Sequence, residues 1–262
     1  MKSYSVAKRL YMLMVYGFLY IPIIILIIYS FNSSMYSASV WEGFTLNWYK
    51  KLFTNSPLLA SVGNSLLLAA SSATIATVIG TLGAVGFFRF RFTGKNFLYV
   101  LIYIVMMSPD IVMGISLLVL FIALNIPLGF WTLTITHITF SLPFVVITLF
   151  TRLSGFDKHI VEAAKDLGAD EFRTFLHIIF PMLTPAVAAG WLLSFTISMD
   201  DAIGSFFVTG PDFEILPLRI YSMVRLGVKP EINALSTLIF LLSLTLVIIS
   251  RLLMKEKKDP DM

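Results

Sequence analysis

Three aspartates lie in segments of this 262-residue chain that are otherwise apolar. Asp110 is the only charged residue between Lys95 and Arg152, and Asp200 and Asp201 stand together in "SFTISMDDAIGSFF". A charge at bilayer depth costs about 2.5–3.5 kcal/mol on insertion scales, so such residues face a cavity or a partner and mark function by default. Their chemistry points to the binding of a cation.

A polar stripe surrounds the aspartate pair if the helix there is continuous. Asp201 then shares a face with Ser194, Ser198 and Ser205, and Asp200 lies on the flank of that face. We predict that Asp110, Ser198, Asp200 and Asp201 line a substrate pathway. Two alternatives remain open: the pair lies in water at a frayed helix end, or Asp110 is protonated and bonds a hydroxyl or a carbonyl freed by Pro109.

Residues for catalysis are missing. The only Gly-Lys pair, Gly94-Lys95, lacks the remainder of a nucleotide-binding GxxxxGK[ST] motif. Cysteine is absent, no Ser/His/Asp arrangement has a nucleophile context, and the three histidines have no metal-ligand spacing: His137, His159 and His177. We therefore predict a protein that is not an enzyme, with no catalytic residue, no metal site and no cofactor bound by this chain.

Composition places these residues in a membrane protein. Hydrophobic residues make up 58% of the chain and charged residues 13%, against about 45–50% and about 25% in soluble proteins. The first apolar segment is too long for a signal-peptide core and is interpreted as a retained anchor. The prediction is an all-α polytopic membrane protein, one domain over residues 1–262, with six transmembrane helices at about 10–31, 62–88, 98–124, 128–151, 183–209 and 234–254.

Basic residues indicate the orientation of these six helices. Fourteen of the 19 Lys and Arg flank the segments on one side, at both termini and in the loops after the second and fourth segments. The positive-inside rule then places both termini in the cytoplasm. Because the net charge of +4 follows this topology, it does not indicate a nucleic-acid partner.

The second segment carries small residues at four-residue intervals. They are Ser72, Ala76, Gly80 and Ala84. Such a stripe allows helix backbones to approach closely in lipid, so we expect it to pack against another helix.

The loop at 155–181 mixes charge with helical periodicity. Ile160, Ala164 and Leu167 share a face of a first short helix, which Gly168 is placed to end as a left-handed cap. A second short helix is expected to stop before Pro181. The two helices would form a compact cytoplasmic knob.

This loop resembles the "EAA" loop of bacterial ABC-importer permeases. Glu162-Ala163-Ala164, Gly168 and "IIFP" at 178–181 match that family's motif, with Phe180 where leucine is usual. The resemblance implies the type I importer fold with a cytoplasmic coupling helix that docks on an ATPase subunit. It assigns coupling to Glu162, Ala163, Ala164, Gly168 and Glu171.

The resemblance extends over nearly the whole chain. "YIPIIILIIYSFNSS", "VMMSPDIVMGISLLVLF" and "SMDDAIGSFFVTGP" are similar to the second permease subunits of spermidine/putrescine importers. That family implies a multi-pass subunit of the bacterial inner membrane. Its expected partners are a second homologous permease, two ATPase subunits that bind ATP and Mg²⁺, and an external polyamine-binding protein.

Other interpretations stay open at this point. Trp48 is a candidate for cation–π contact with the cargo, and equally for ordinary anchoring at the membrane interface. The cargo is alternatively another organic cation or an amino acid. A polytopic membrane enzyme or an assembly scaffold is a third alternative, which the coupling loop argues against.

Overall fold

The computed structural model describes residues 2–34, 40–156, 158–225 and 230–255, and the described residues are mostly helical. Twelve α-helices and one π-helical segment follow one another along these ranges. Their bounds are α1 Lys2–Tyr29, α2 Asn47–Thr54, α3 Ser56–Arg89, α4 Lys95–Met107, α5 Asp110–Ala123, α6 Phe130–Ser154, α7 Lys158–Asp166, α8 Glu171–Thr174, the π-helical segment Phe175–Ile179, α9 Phe180–Asp200, α10 Ile203–Val208, α11 Leu216–Arg225 and α12 Pro230–Lys255.

Four helical stretches among the described residues are long and apolar enough to cross a membrane. They are Lys8–Tyr29, Ser56–Arg89, Phe130–Ser154 and the continuous stretch Glu171–Asp200. A fifth is obtained if α4 and α5, whose axes are bent by 112° at the break between them, form one broken span. The described apolar part of α12, Pro230–Leu241, is shorter than a span. The sixth crossing therefore stays a prediction.

The chain divides into two compact units, of which the first comprises residues 1–59 and 220–262. In this unit α12 packs against α1 and α2. The buried Asn32 organises the loop before α2, because its side chain donates to the Val40 carbonyl and accepts from the Glu42 backbone N–H. The indole Nε1 of Trp48 donates to the Asn32 carbonyl at 2.7 Å.

The second unit, residues 60–219, contains α4 to α10 and most of α3. Its core is built around α6, which packs along α9 and against α4. The small-residue stripe of α3 is buried, as predicted. At Gly80 an added Cβ would lie 2.6 Å from Cγ1 of Val145, so the close approach of α3 and α6 requires glycine there.

The helix that begins at Glu171 does not stop before Pro181. It continues through the π-helical segment into α9 and ends at Asp200, so the prediction of a second short helix was wrong. Within an α-helix, the ring of Pro181 would clash with the carbonyl of His177. His177 lies in the π-helical segment, whose wider turn relieves that clash and lets the helix continue.

Candidate functional site

The first part of the site is the break between α4 and α5. Ser108 is extended, with φ −72° and ψ 134°, as expected for a residue that precedes proline. Pro109 precedes the first residue of α5, so Asp110 occupies the first turn of a helix, where the helix dipole favours an anion. Asp110 is exposed, and its side chain has no hydrogen bond or ion pair among the described residues.

The second part is a break between α9 and α10, which the prediction of one helix over 183–209 did not include. That prediction was wrong because Asp201 leaves the helical conformation, with ψ 108°, and ends α9. Its Oδ1 accepts from the backbone N–H of Gly204 at 2.9 Å, and its Oδ2 accepts from the N–H of Ser205 at 2.9 Å. These bonds satisfy free N–H donors in the first turn of α10 from the residue before its N-cap Ala202, so Asp201 takes the acceptor role of a capping side chain.

Glycine at position 204 permits this break. A Cβ at Gly204 would lie 2.2 Å from Cε2 of Phe140 on α6, and one at Gly114 would lie 2.9 Å from Cδ2 of Phe207. The short α10 therefore lies against α5 and α6 through glycine contacts. A larger residue at either position would push α10 away from the two helices.

Asp200 and Asp201 have different surroundings. Asp201 has both carboxylate oxygens bonded, and its side chain is only 8% exposed. Asp200 is exposed, has no bonded partner among the described residues, and lies at the last residue of α9. An anion at a helix C-terminus opposes the helix dipole. Since the fold gains nothing from Asp200, its charge points to function.

Both breaks line one cavity of about 590 Å³ within the second unit. Its wall contains three carboxylates, one hydroxyl and a larger set of apolar side chains, and none of the lining residues is basic. The lining residues are Val105, Met106, Ser108, Asp110, Met113, Phe140, Phe144, Leu193, Ile197, Asp200, Asp201, Ala202 and Ile203. With the three carboxylates ionised, the cavity is suited to an organic cation, whose ammonium groups pair with carboxylates and whose methylenes contact the apolar wall.

Two of the other predicted pathway residues lie elsewhere. Ser198 is buried and bonds His137 and Ser72, and it is not among the residues that line the cavity. Trp48 lies in the first unit, where the residue is 7% exposed and the Nζ of Lys51 lies 4.6 Å from the ring centroid. One cation therefore already occupies a face of this ring. The pathway roles of both residues stay predictions.

His137, which the sequence did not single out as a site residue, is buried in the second unit. Its Nδ1 is 2.6 Å from the Ser198 hydroxyl, and its Nε2 is 2.8 Å from the Ser205 hydroxyl. Its Nε2 also lies 3.4 Å from Oδ2 of Asp201. The spacing of the histidines excludes a metal site, but it gives no information about a single buried histidine that bonds hydroxyl groups. The rule that singled out Asp110, a titratable group inside an apolar segment, applies equally to His137.

The predicted coupling loop contains one short helix followed by the start of the long one. Gly168 has φ +81°, and the N–H of Ala169 bonds the Ala164 carbonyl at 3.0 Å, so the predicted left-handed cap is confirmed. Ala164 is buried and Ala163 is exposed, whereas the side chain of Glu162 lies outside the described residues. The coupling roles of these residues stay predictions.

Glu171 begins the long helix, next to the capping Asp170. Its carboxylate pairs with the guanidinium of Arg89 at the end of α3. The Arg89 side chain is 9% exposed, so this pair is largely shielded from water on the arginine side. Glu171 thus connects the segment after Gly168 to a long helix of the second unit.

The described residues are mostly helical, and their two helix breaks line an acidic cavity, an arrangement suited to a membrane transport component. The chain belongs to the family of binding-protein-dependent transport system inner membrane components, whose model matches residues 76–256. It is 58% identical over 247 residues to the spermidine/putrescine transport system permease protein PotC of Escherichia coli K12, with 94% of this chain and 93% of that protein covered.

Two further similarities extend this result. The putrescine transport system permease protein PotI of Escherichia coli K12 is 43% identical over 236 residues, which cover 87% of this chain and 83% of that protein. Among solved structures, a chain of a bacterial ABC transporter involved in the import of the acidic polysaccharide alginate matches with a TM-score of 0.77. That match covers 98% of this chain and 97% of the other at 15% identity, so it supports the fold alone.

Proposed function

We propose that this chain is a membrane-spanning permease subunit of an ATP-driven importer that carries polyamines, spermidine and putrescine, across the bacterial inner membrane. One observation carries the proposal. Asp110, Asp200 and Asp201 come from two helix breaks and line a single cavity that also contains Phe140 and Phe144. The similarity to spermidine/putrescine permeases supports the choice of polyamine among organic cations.

The cavity chemistry suits such a cargo. A polyamine is a flexible chain of ammonium groups separated by methylenes, so it needs separate anionic contacts with apolar surface between them. Asp110 and Asp200 provide carboxylates without protein partners among the described residues, and the phenyl rings offer cation–π contact of about 0.5–2 kcal/mol. A few graded contacts suit transport better than a closed cage, because the cargo must also leave.

Energy and external capture belong to other subunits in this proposal. The chain has no phosphate-binding loop, so we assign ATP and Mg²⁺ to two partner ATPase subunits. The segment around Glu162, Ala163, Ala164 and Gly168 docks on one of them, and Glu171 with Arg89 connects that segment to α3. A second, homologous permease and an external binding protein complete the complex, which works by alternating access.

The proposal includes six crossings with both termini in the cytoplasm, which thiol labelling tests. Because the chain has no cysteine, single Asp212→Cys and Lys165→Cys variants report the side on which each position lies. Intact spheroplasts are treated with a membrane-impermeant maleimide, and the chain is then purified. The Asp212→Cys chain should be labelled, whereas Lys165→Cys should stay unlabelled until the membrane is opened. Labelling of Lys165→Cys in intact spheroplasts would overturn the orientation.

Direct uptake tests the cargo. The complete complex, expressed in cells without their own polyamine uptake, should accumulate radiolabelled spermidine, and excess putrescine should reduce that uptake more than arginine or histidine does. The expected discrimination is about tenfold in half-inhibiting concentration, the effect of about one lost charge contact. Equal inhibition by an amino acid, or an absence of spermidine uptake by a correctly assembled complex, would favour the alternative cargo.

A further inference from the structure

A hydrogen-bonded chain runs from α3 through α6 to the break between α9 and α10. The Ser72 hydroxyl lies 3.3 Å from two acceptors, the Ala69 carbonyl and the Ser198 oxygen. Ser198 bonds His137, His137 bonds Ser205, and the Ser205 hydroxyl donates to Oδ2 of Asp201 at 2.8 Å. The two serines that contact the imidazole and the imidazole itself are all buried. This series of hydrogen bonds ends at Asp201, one of the three carboxylates that line the cavity.

The number of available protons fixes which group donates and which accepts in each of these hydrogen bonds. Each serine hydroxyl has one proton, and Ser205 uses its proton on Asp201, so the Ser205 oxygen accepts from His137. The proton of the imidazole is therefore on Nε2. In the neutral ring Nδ1 is then an acceptor, and the Ser198 hydroxyl donates to it. With this tautomer every donor and acceptor at His137, Ser198 and Ser205 has a partner.

The neutral tautomer leaves the charge of Asp201 in place. Asp201 receives four hydrogen-bond contacts, if the 3.4 Å approach of His137 Nε2 is counted, and none comes from a lysine or arginine. The carboxylate is held in one orientation, yet its negative charge still acts on the cavity. An ion pair at this place would cancel that charge.

We infer that His137 is a positioning residue for cargo recognition: through Ser198 and Ser205 it holds the break at 200–202 in the geometry that presents the acidic side chains to the cavity. This inference rests on the proposed function, because the cavity is taken to bind an organic cation. His137 does not line the cavity, so it acts on the cargo only through Asp201 and the start of α10.

Imidazole is suited to this place because its two nitrogens point to opposite sides of a planar ring. It accepts from a serine on α9 and donates to a serine on α10 at the same time. A leucine at position 137 would remove both bonds and leave the Ser198 proton and the Ser205 oxygen, both buried, without their imidazole partner. A glutamine keeps one donor and one acceptor with a smaller change in size.

The test uses a reporter that does not depend on the cargo. Ser108 lines the same cavity from the other break, and Ser108→Cys introduces the only thiol into a cysteine-free chain. In the purified complex, this thiol reacts with a cationic and with a neutral methanethiosulfonate of similar size. The ratio of the two rates reports the negative potential of the cavity. Labelled spermidine uptake is measured in parallel for its half-saturating concentration and maximal rate.

His137→Leu should lower the cationic-to-neutral ratio by about threefold or more and raise the half-saturating concentration by about tenfold, with a smaller change in maximal rate. His137→Gln should keep both quantities within about threefold of the parent. Thr134→Val is the matched control, because this buried hydroxyl on the same helix donates to the Phe130 carbonyl of its own helix. It should change neither quantity.

Three results would overturn the inference. They are an unchanged rate ratio in His137→Leu, equal losses in the leucine and glutamine variants, and a ratio that changes equally in Thr134→Val. If His137→Leu does not accumulate in the membrane, Ser205→Ala is measured instead, and it should lower the ratio because it cuts the link to Asp201. A complex that responds in rate ratio but takes up no polyamine would refute the proposed cargo and leave the positioning role standing.

Discussion

Asp110→Asn and Asp200→Asn should each reduce polyamine uptake by about tenfold or more at equal membrane abundance, since each removes one charge contact of about 1–3 kcal/mol. Asparagine nearly preserves the size of aspartate, so packing changes little. Both side chains lie in the cavity wall without a partner among the described residues, so no protein contact is lost. Membrane insertion should not suffer, because a neutral side chain costs less in the bilayer. The measurement is the initial rate of radiolabelled spermidine uptake.

Asp201→Asn and Asp201→Ala distinguish the charge of this residue from its capping bonds. Asparagine keeps one oxygen that can accept from the Gly204 N–H, and it loses the charge and the Ser205 bonds on Oδ2. Asp201→Ala loses the remaining capping bond as well and should additionally reduce the amount of assembled complex. The control is Asp212→Asn, which neutralises an exposed carboxylate that does not line the cavity. If the asparagine variants at positions 110, 200 and 201 all took up spermidine at the same rate as Asp212→Asn, the cavity would not be the cargo pathway.

Gly168→Val should abolish uptake while the chain remains in the membrane. Gly168 has φ +81°, where an L-residue costs about 1–2 kcal/mol and a β-branched one more. The strain would rotate α7 against the helix that begins at Glu171 and misplace the segment proposed to dock on the ATPase. We expect uptake to fall by at least about tenfold, with ATP hydrolysis no longer responding to the loaded binding protein. The measurements are spermidine uptake and stimulated ATPase activity of the purified complex.

Two variants show whether the effect comes from coupling. Gly168→Asn should retain most of the uptake, because asparagine tolerates the left-handed conformation. Gly94→Val introduces comparable strain at φ +92°, at the start of α4, with no atom within 4 Å of the added Cβ. It should leave the ATPase response in place. Normal uptake by Gly168→Val, or an equal loss of the ATPase response in Gly94→Val, would contradict the coupling role.

Several local features of the fold followed from the sequence alone. The disruption of the turn before Pro109 was predictable because proline lacks an N–H and restricts the residue before it, but the span predicted over 98–124 is broken there into α4 and α5. The cap at Gly168 was predictable because glycine adopts positive φ without a steric penalty. The buried stripe on α3 followed from the spacing of its small residues. Each of these depends on one residue or on one helical period.

The break at Asp200–Ala202 was not predictable in this way. The residues from Ala202 to Val208 have the composition of a continuing apolar helix, so helical periodicity alone carries the span through them. The break exists because α10 packs against α5 and α6 at Gly114, Gly204 and Phe140. Those contacts join segments that are distant in sequence, and periodicity has no information about them.

The sequence by itself determined the class of the protein, the acidic residues that apolar segments do not tolerate without a reason, and the segment that resembles a coupling loop. Only the tertiary structure decided that Asp110 and the pair at 200–201 share one cavity, that Asp201 is bonded while Asp200 is free of partners among the described residues, and that His137 lies behind them. The physical reason is that helix propensity, capping and proline effects act within a few residues. The direction in which a buried side chain points is set by the helices that pack around it.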